Sequence, residues 1–199
     1  GDKVKSVKVT EDNIVGFLGK PRFTNTKSET EDQVGVVTGL AYTQFGGDTL
    51  PVEVTYYKGT GKLMLTGKLG DVMKESAQAA LSYVKSNSEL YKIDPDFYNL
   101  HDIHLHVPEG AVPKDGPSAG VAMAMAMLSA VSGRAASNNV AMTGEITLTG
   151  SILAIGGFTE KLLAAKRNGI ITVLIPKENE IDLKEISDKV KSGLNIVTI

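Results

Sequence analysis

The chain contains no cysteine, and its 199 residues carry a net charge of only −2. The lack of cysteine excludes disulfides, thiolate nucleophiles and cysteine metal sites. It also fits a reducing compartment, so we expect a cytoplasmic protein. The nearly balanced charge argues against a domain that binds nucleic acid through bulk positive charge. We find no signal peptide and no apolar run long enough to span a bilayer, so we expect no membrane association.

Histidine is scarce, and none follows His106. Residues 102–107 alternate between polar and apolar side chains, which predicts a strand with His104 and His106 on one face. Two histidines without a cysteine or a later histidine do not complete a zinc ligand set, so we expect no metal. The pair is interpreted as lining a site or lying on a half-exposed strand face.

The motifs of two other enzyme classes are incomplete. Lys62 and Lys68 each follow a glycine, but leucine comes next where a phosphate-binding loop needs Ser or Thr for magnesium. We therefore expect no nucleotide cofactor in this domain. Ser82 and Lys85 match the Ser-x-x-Lys signature of penicillin-recognising enzymes, but the other sequence boxes of that family are absent. We interpret this match as a surface coincidence.

The composition predicts one compact domain behind a polar extension. Residues 10–17 indicate a short helix capped by Thr10, and residues 20–33 are almost entirely polar. We therefore divide the chain into an N-terminal helix with a linker, residues 1–33, and a compact domain, residues 34–199. The chain starts without methionine and ends inside an apolar run, so we expect both ends to be cuts in a longer protein.

Hydrophobic periodicity and turn residues predict a mixture of strands and helices without a regular βαβ repeat. This pattern favours an α+β fold with three layers. Strands are predicted at 34–42, 50–57, 62–66, 102–107, 140–143, 171–175 and 195–198, with a further strand or hairpin at 146–155 that is broken at Gly150. The first two strands are predicted to form an antiparallel hairpin whose turn contains Gly46, Gly47 and Asp48. Helices are predicted at 71–87, 119–131, 159–168 and 180–191.

The stretch around Ser118 is the main candidate site. Gly116 and Pro117 predict a tight loop that delivers Ser118 to the start of an apolar helix. Backbone N–H groups and the positive end of the helix dipole meet there and can stabilise an oxyanion. On this stretch alone, the commoner interpretation is that Ser118 only caps the helix.

Two side chains are candidate bases for Ser118. The stretch matches Gly-x-Ser-x-Gly, but all histidines precede the serine, which is the wrong chain order for an α/β-hydrolase. A His-Asp-Ser arrangement of His106, Asp115 and Ser118 stays open. The other candidate is Lys161, at a glycine-rich helix start, whose pKa would have to be lowered by burial or positive charge. Spacing alone does not decide between them.

Three motifs closely resemble the proteolytic domain of the Lon family, and in particular its bacterial ATP-dependent (LonA) type. They are HLHVPEGAVPKDGPSAG at 104–120, AMTGEI at 141–146 and IGGFTEKLLAA at 155–165. The resemblance covers about residues 34–199, and the separation of 43 residues between Ser118 and Lys161 agrees with that family. It implies mixed sheets packed by helices, of the ribosomal-protein-S5-domain-2-like kind.

The resemblance also implies a function and a site. It predicts a serine endopeptidase in which Ser118 is the nucleophile and Lys161 the base, as part of an ATP-dependent protease that degrades misfolded and regulatory proteins. ATP and magnesium would be used in an ATPase domain that this chain lacks, and the whole protein would form a hexameric ring. A non-catalytic Lon-like assembly module is the alternative. The predicted lining residues are His104, His106, Asp115, Gly116, Pro117, Ala119, Thr143 and Glu145.

Overall fold

The computed structural model describes residues 7–10, 12–19, 31–43, 46–108 and 113–199. Its strands are β1 (Val36–Thr43), β2 (Gly46–Lys58), β3 (Leu63–Thr66), β4 (His101–His106), β5 (Val140–Met142), β6 (Glu145–Ile146), β7 (Ile152–Leu153), β8 (Thr172–Ile175) and β9 (Asn195–Thr198). Its helices are α1 (Ile14–Leu18), α2 (Asp71–Ser86), α3 (Phe97–Leu100), α4 (Gly120–Ser132), α5 (Phe158–Arg167), α6 (Glu180–Glu185) and α7 (Asp188–Lys191), with a 3₁₀ turn at Lys177–Asn179.

In the described residues, seven strands form one mixed sheet in the order β3-β4-β2-β1-β5-β8-β9, and β6 and β7 form a separate hairpin. The β1–β2 and β2–β4 pairs are antiparallel, whereas β3–β4, β1–β5, β5–β8 and β8–β9 are parallel. β5 is therefore an interior strand of the sheet, and its carboxyl end lies beside β1 and β8.

Helices cover both faces of this sheet. On one face, α4 packs on the sheet and α2 packs on α4, and together they enclose the larger apolar core. On the other face, α5 and the segment around α7 enclose a smaller core with Leu162 and Val173. Neighbouring residues of β5 divide between the two cores, Ala141 into one and Met142 into the other. The α+β class and the three-layer arrangement predicted from the sequence are confirmed.

The strongest periodic patterns correspond to observed elements. The apolar stripe predicted for residues 71–87 is buried throughout α2 (Met73, Ala77, Ala80, Leu81 and Val84). The alternation predicted for residues 102–107 places Ile103, Leu105 and Val107 in the core. The hairpins predicted between residues 34–57 and across Gly150 are also present.

Three local predictions are wrong. The first helix begins at Ile14 rather than at residue 10, because Asn13 takes the N-cap position while its own side chain accepts a hydrogen bond from the Thr10 N–H. Gly46 and Gly47 belong to β2 rather than to the turn. The helix predicted for residues 180–191 is split at Ile186, whose backbone is extended, and Ser187 starts α7.

The predicted linker lies mostly outside the described residues, which resume at residue 31. The Asn138 N–H donates to Asp32, and Gln33 pairs with Ala136. Contacts with the compact domain therefore begin just before residue 34.

Candidate active site

The serine loop, residues 114–118, is held against the N-terminus of α2. Asp115 Oδ1 accepts hydrogen bonds from the Met73 N–H at 3.0 Å and from the Gly116 N–H at 2.8 Å. Ser76 Oγ donates to the Pro117 carbonyl at 3.3 Å. Gly116 has φ +107°, a conformation that glycine adopts without strain. The loop is thus fixed by a helix about 40 residues away in sequence.

Ser118 precedes α4 but does not cap it. The N-cap residue is Ala119, and no side chain caps this helix end. Within the described part of the chain, the Ser118 hydroxyl makes no hydrogen bond, and the N–H groups of Ser118 and Ala119 donate none. A serine oxygen and two unused N–H groups therefore lie together at the positive end of a 13-residue helix.

Lys161 is buried in the first half of α5. Its side chain is 2% exposed, and its Nζ donates to Thr143 Oγ1 at 3.1 Å. Burial lowers the pKa of the Lys161 amine from 10.5 to about 8. No carboxylate forms an ion pair with Lys161 among the described residues. The uncompensated burial favours the neutral amine, which is the form that can accept a proton.

Close backbone contact fixes the position of α5. A Cβ atom at Gly47 would lie 2.0 Å from the Glu160 carbonyl oxygen, so glycine is needed where β2 begins. At the other end of α5, Arg167 donates to the Gly47 carbonyl at 2.6 Å. The helix that carries Lys161 is therefore seated on the β1–β2 hairpin.

Thr143 connects the lysine with the serine loop. It follows β5, is fully buried, and its hydroxyl donates to the Ser118 carbonyl at 3.2 Å. The Gly144 N–H donates to the same carbonyl at 2.8 Å. One buried hydroxyl therefore accepts from Lys161 and donates to the backbone of Ser118, which links the two candidate residues through a single side chain.

Ser118 and Lys161 line the same cavity, which has a volume of about 280 Å³. Its apolar surface comes from Leu40, Leu50 and Met73 among others. Two backbone stretches form further walls, residues 40–42 of β1 and residues 154–156 between β7 and α5. The cavity thus combines a serine hydroxyl, a buried amine and free N–H donors with apolar surface and two stretches of chain.

Comparison with known proteins identifies one family. The chain matches the family described as the Lon protease (S16) C-terminal proteolytic domain over residues 8–199. Lon protease 1 of Bacillus subtilis (strain 168) is 60% identical over 193 residues, which cover 97% of this chain and 25% of that protein. Lon protease of Bacillus thuringiensis (strain Al Hakam) is 58% identical over 193 residues, which cover 97% of this chain and 24% of that protein.

The chain belongs to the Lon protease family. It is a serine endopeptidase domain of the Lon type, as the three motifs predicted. It spans about a quarter of the length of the curated relatives it matches.

Not all of the predicted lining residues of this Lon domain reach the cavity. Asp115, Pro117 and Ala119 line it together with Ser118 and Lys161. Gly116 lies in the same loop, and Thr143 contacts Lys161 from below the cavity surface.

Three other predicted residues lie beside this group. Glu145 is on β6, paired with Leu153, and does not line the cavity. His104 Nε2 and His106 Nδ1 both hydrogen-bond to Thr66 Oγ1, at 2.9 and 2.7 Å, on the β3–β4 side of the sheet. The histidine pair is also absent from the cavity lining.

Several residues of the Lon site were missed by sequence reasoning. Leu40, Leu50 and Met73 were assigned only to elements, because nothing in a local pattern shows which strand or helix faces a distant loop. Tyr42 and residues 154–156 carried no signal beyond a strand prediction and a glycine-rich helix start. Ser82 is exposed on α2 and donates to the Gln78 carbonyl. It does not line the cavity.

The described ranges offer neither a metal-binding cluster nor a membrane-spanning helix. No group of three or more His, Cys, Asp or Glu side chains there could hold a metal ion. No helix in the same ranges is both long and apolar enough to cross a membrane.

Proposed function

We propose that Ser118 and Lys161 form the catalytic dyad of this Lon domain. The observation that carries the proposal is the Lys161 amine, which is buried without a carboxylate partner and lines the cavity that contains Ser118. A lysine with a pKa of about 8 is partly neutral at neutral pH and can act as a general base.

In the proposed reaction, Ser118 Oγ attacks the scissile carbonyl carbon, and its proton passes to Lys161 Nζ. The N–H groups of Ser118 and Ala119 receive the oxyanion. The ammonium of Lys161 then donates its proton to the leaving amine as the C–N bond breaks, which leaves an acyl ester on Ser118. Water cleaves the ester, with Lys161 as base again, and the serine hydroxyl is restored.

The proposed dyad requires the Ser118 hydroxyl to come within hydrogen-bond distance of the Lys161 amine. In the structure the amine donates to Thr143, and no hydrogen bond joins it to Ser118 among the described residues. A neutral amine has one lone pair, so it can keep Thr143 as its acceptor while it accepts the serine proton. Thr143 would thereby orient the amine.

We propose that the substrate binds as an extended strand between the two backbone walls. On one edge, β1 pairs with β5 at Thr38 and Gly39 and the ladder ends there. Residues 40–42 pair with β2 on the other edge, so their edge on the β5 side is available. Residues 154–156 also line the cavity and belong to no strand, and the next residue, Gly157, lies against the Tyr42 side chain. Exposed strand edges commonly bind extended peptides by main-chain hydrogen bonds.

Ser118→Ala tests the proposed nucleophile. The variant removes one oxygen that makes no hydrogen bond, so it should unfold at the same temperature as the unmodified chain. It should lose cleavage of an unfolded fluorogenic peptide and covalent labelling by a small fluorophosphonate. If the unmodified chain is not labelled and does not cleave, the alternative of a non-catalytic Lon-like module is favoured.

We extend the proposal to the intact protein. Its expected role is ATP-dependent degradation of misfolded and regulatory proteins by a cytoplasmic hexameric ring, supported by the family and by the longer relatives. The glycine–lysine stretches of this chain do not fit a nucleotide site, so ATP and magnesium would act in another domain. Added ATP should therefore leave peptide cleavage by this chain unchanged.

A further inference from the structure

The cavity wall at residues 154–156 lacks support from a neighbouring strand. The β6–β7 ladder ends at Leu153, and α5 begins at Phe158. The wall has the sequence Ala-Ile-Gly, and Ile155 is its one large side chain, packed against the smaller core. Packing at this single residue leaves the backbone hydrogen bonds of the wall to be supplied by another part of the chain.

Asn179 holds this wall. The Ile155 N–H donates to Asn179 Oδ1 at 3.0 Å, and Asn179 Nδ2 donates to the Ile155 carbonyl at 3.1 Å. One carboxamide thus satisfies both backbone groups of Ile155, as a residue of a neighbouring strand would. Nδ2 also donates to Asp182 Oδ2 at 2.5 Å, which fixes the orientation of the amide.

Because Asn179 is buried, the loss of these hydrogen bonds would be costly. Asn179 is 2% exposed, and a buried amide that loses its partners retains the full cost of desolvation. The Asn179 side chain makes three hydrogen bonds in the described residues, two with the backbone of Ile155 and one with Asp182. The wall therefore supplies two of the three. Glu178 adds a longer contact, 3.4 Å, to the Ala154 N–H.

The pairing leaves other backbone groups of the wall available. Within the described residues, the Ala154 carbonyl and both backbone groups of Gly156 make no hydrogen bond. All three groups belong to residues that line the cavity with Ser118 and Lys161. Gly157 follows at once as the N-cap of α5, the helix that carries Lys161.

We propose that Asn179 is a positioning residue that acts as a surrogate strand, holding residues 154–156 so that their unpaired backbone groups bind an extended peptide in register with Ser118. The inference rests on the proposed function, because it takes Ser118 as the reacting group. Asn179 itself touches neither the substrate nor the reacting atoms.

The test separates peptide binding from the chemistry at Ser118. The 199-residue chain and its Asn179→Ala variant would be treated with a small fluorophosphonate and with peptidyl boronates of one, two and three residues. In the unmodified chain, the affinity for boronates should rise with peptide length. In the variant, the increase in affinity from the one-residue to the three-residue boronate should be about tenfold smaller, because the two hydrogen bonds that hold Ile155 are lost. The rate of fluorophosphonate labelling should stay within about threefold of the rate for the unmodified chain, because the lost contacts do not involve Ser118.

Two further variants keep the test decisive. Asn179→Leu keeps the side-chain volume, removes both hydrogen bonds to Ile155 and places no second carboxylate beside Asp182, so it should lose the same length dependence even if the alanine variant does not fold. Asn168→Ala is the matched control, because Asn168 donates to the Ala164 carbonyl at the far end of α5. It should bind all three boronates like the unmodified chain.

Three outcomes would overturn the proposal. One is an unchanged length dependence in both Asn179 variants. Another is an equal loss for the fluorophosphonate and for every boronate, which would show a merely structural role. If the unmodified chain reacts with neither reagent, the proposed function fails first, and the role of Asn179 fails with it.

Discussion

Two clusters in this Lon domain each place titratable side chains against a threonine hydroxyl, and they differ mainly in burial. Lys161 donates to Thr143 in the interior, where both side chains are almost fully buried. His104 and His106 share Thr66 on the side of β4 that remains half exposed. Only the lysine lines the cavity that contains Ser118.

The difference shows how the structure favours one of two candidate bases. A buried amine without a carboxylate partner is destabilised in its charged form, so its proton is held weakly. The two imidazole rings are half exposed, share the Thr66 hydroxyl and lie outside the cavity. Both clusters contain groups able to accept a proton, but only the lysine lines the cavity, and burial lowers the pKa of its amine to about 8.

Lys161→Arg should produce the largest loss. Arginine keeps the positive charge but does not release its proton in a protein, so peptide cleavage should fall about 10³-fold, the scale of a lost general base. The loss of activity would be measured as the steady-state rate of cleavage of an unfolded peptide. Lys166→Arg on the same helix is the control and should stay active, since Lys166 is exposed and its amine bonds, within the described ranges, to the Lys189 carbonyl and Ser192 Oγ. A Lys161→Arg variant with most of its activity would mean that the wrong base was chosen.

Lys161→Met should stabilise the fold at neutral pH. The lowering of the pKa from 10.5 to about 8 corresponds to a penalty of about 3 kcal/mol for the charged folded state. The penalty is complete below pH 8 and is relieved as the pH rises from about 8 to 10.5, because the unfolded chain then binds more protons than the folded one. Urea unfolding of both proteins from pH 7 to 10 measures the difference.

That stability difference should shrink with rising pH. Lys166→Met, on the exposed face of the same helix, should show no comparable pH dependence. A stabilisation by Lys161→Met that stays constant from pH 7 to 10 would contradict the lowered pKa.

Thr143→Val should have a smaller effect, about a tenfold loss in kcat, because one hydrogen bond that orients the amine is removed. The hydroxyl accepts from the lysine and so favours its charged form. Its loss should therefore move the rising limb of the pH–rate profile to lower pH. The Gly144 N–H still holds the Ser118 carbonyl, which limits the damage to the loop. Thr172→Val on β8 should change neither quantity, and an unshifted limb in Thr143→Val would exclude the orienting role.

Much of the fold was predictable because its signals are local. The stripe of α2 and the alternation of β4 are each contained in a few turns or residues, and both are confirmed. The break at Ile186 was not predictable, since it depends on burial of that side chain in the core beneath α7 rather than on helix propensity. Which strands become neighbours depends on contacts between distant segments.

The candidate site follows the same division. Ser118 and Lys161 were located by motifs, whereas their contacts join segments far apart in sequence. Asp115 meets Met73 across 42 residues, and Asn179 meets Ile155 across 24. No periodic pattern encodes such pairs, so their geometry requires the folded chain. The assignments of Ser118, Lys161 and the lining residues stay predictions until variants are measured.

Replacing His104 and His106 by alanine should have the smallest effect. Because activity requires a neutral amine, the rate should rise with pH through a pKa of about 8, the value that burial gives Lys161. A histidine base would place this limb near 6.5 instead. The double variant should keep the limb near 8 and lose less than about tenfold in rate, below the 10²–10⁴-fold contribution of a general base. Thr66→Val removes the shared hydroxyl without changing either ring, and it should behave like the unmodified chain. A rising limb near 6.5 that disappears with the histidines would identify the His106, Asp115 and Ser118 arrangement as the catalytic one and reverse the comparison between the two clusters.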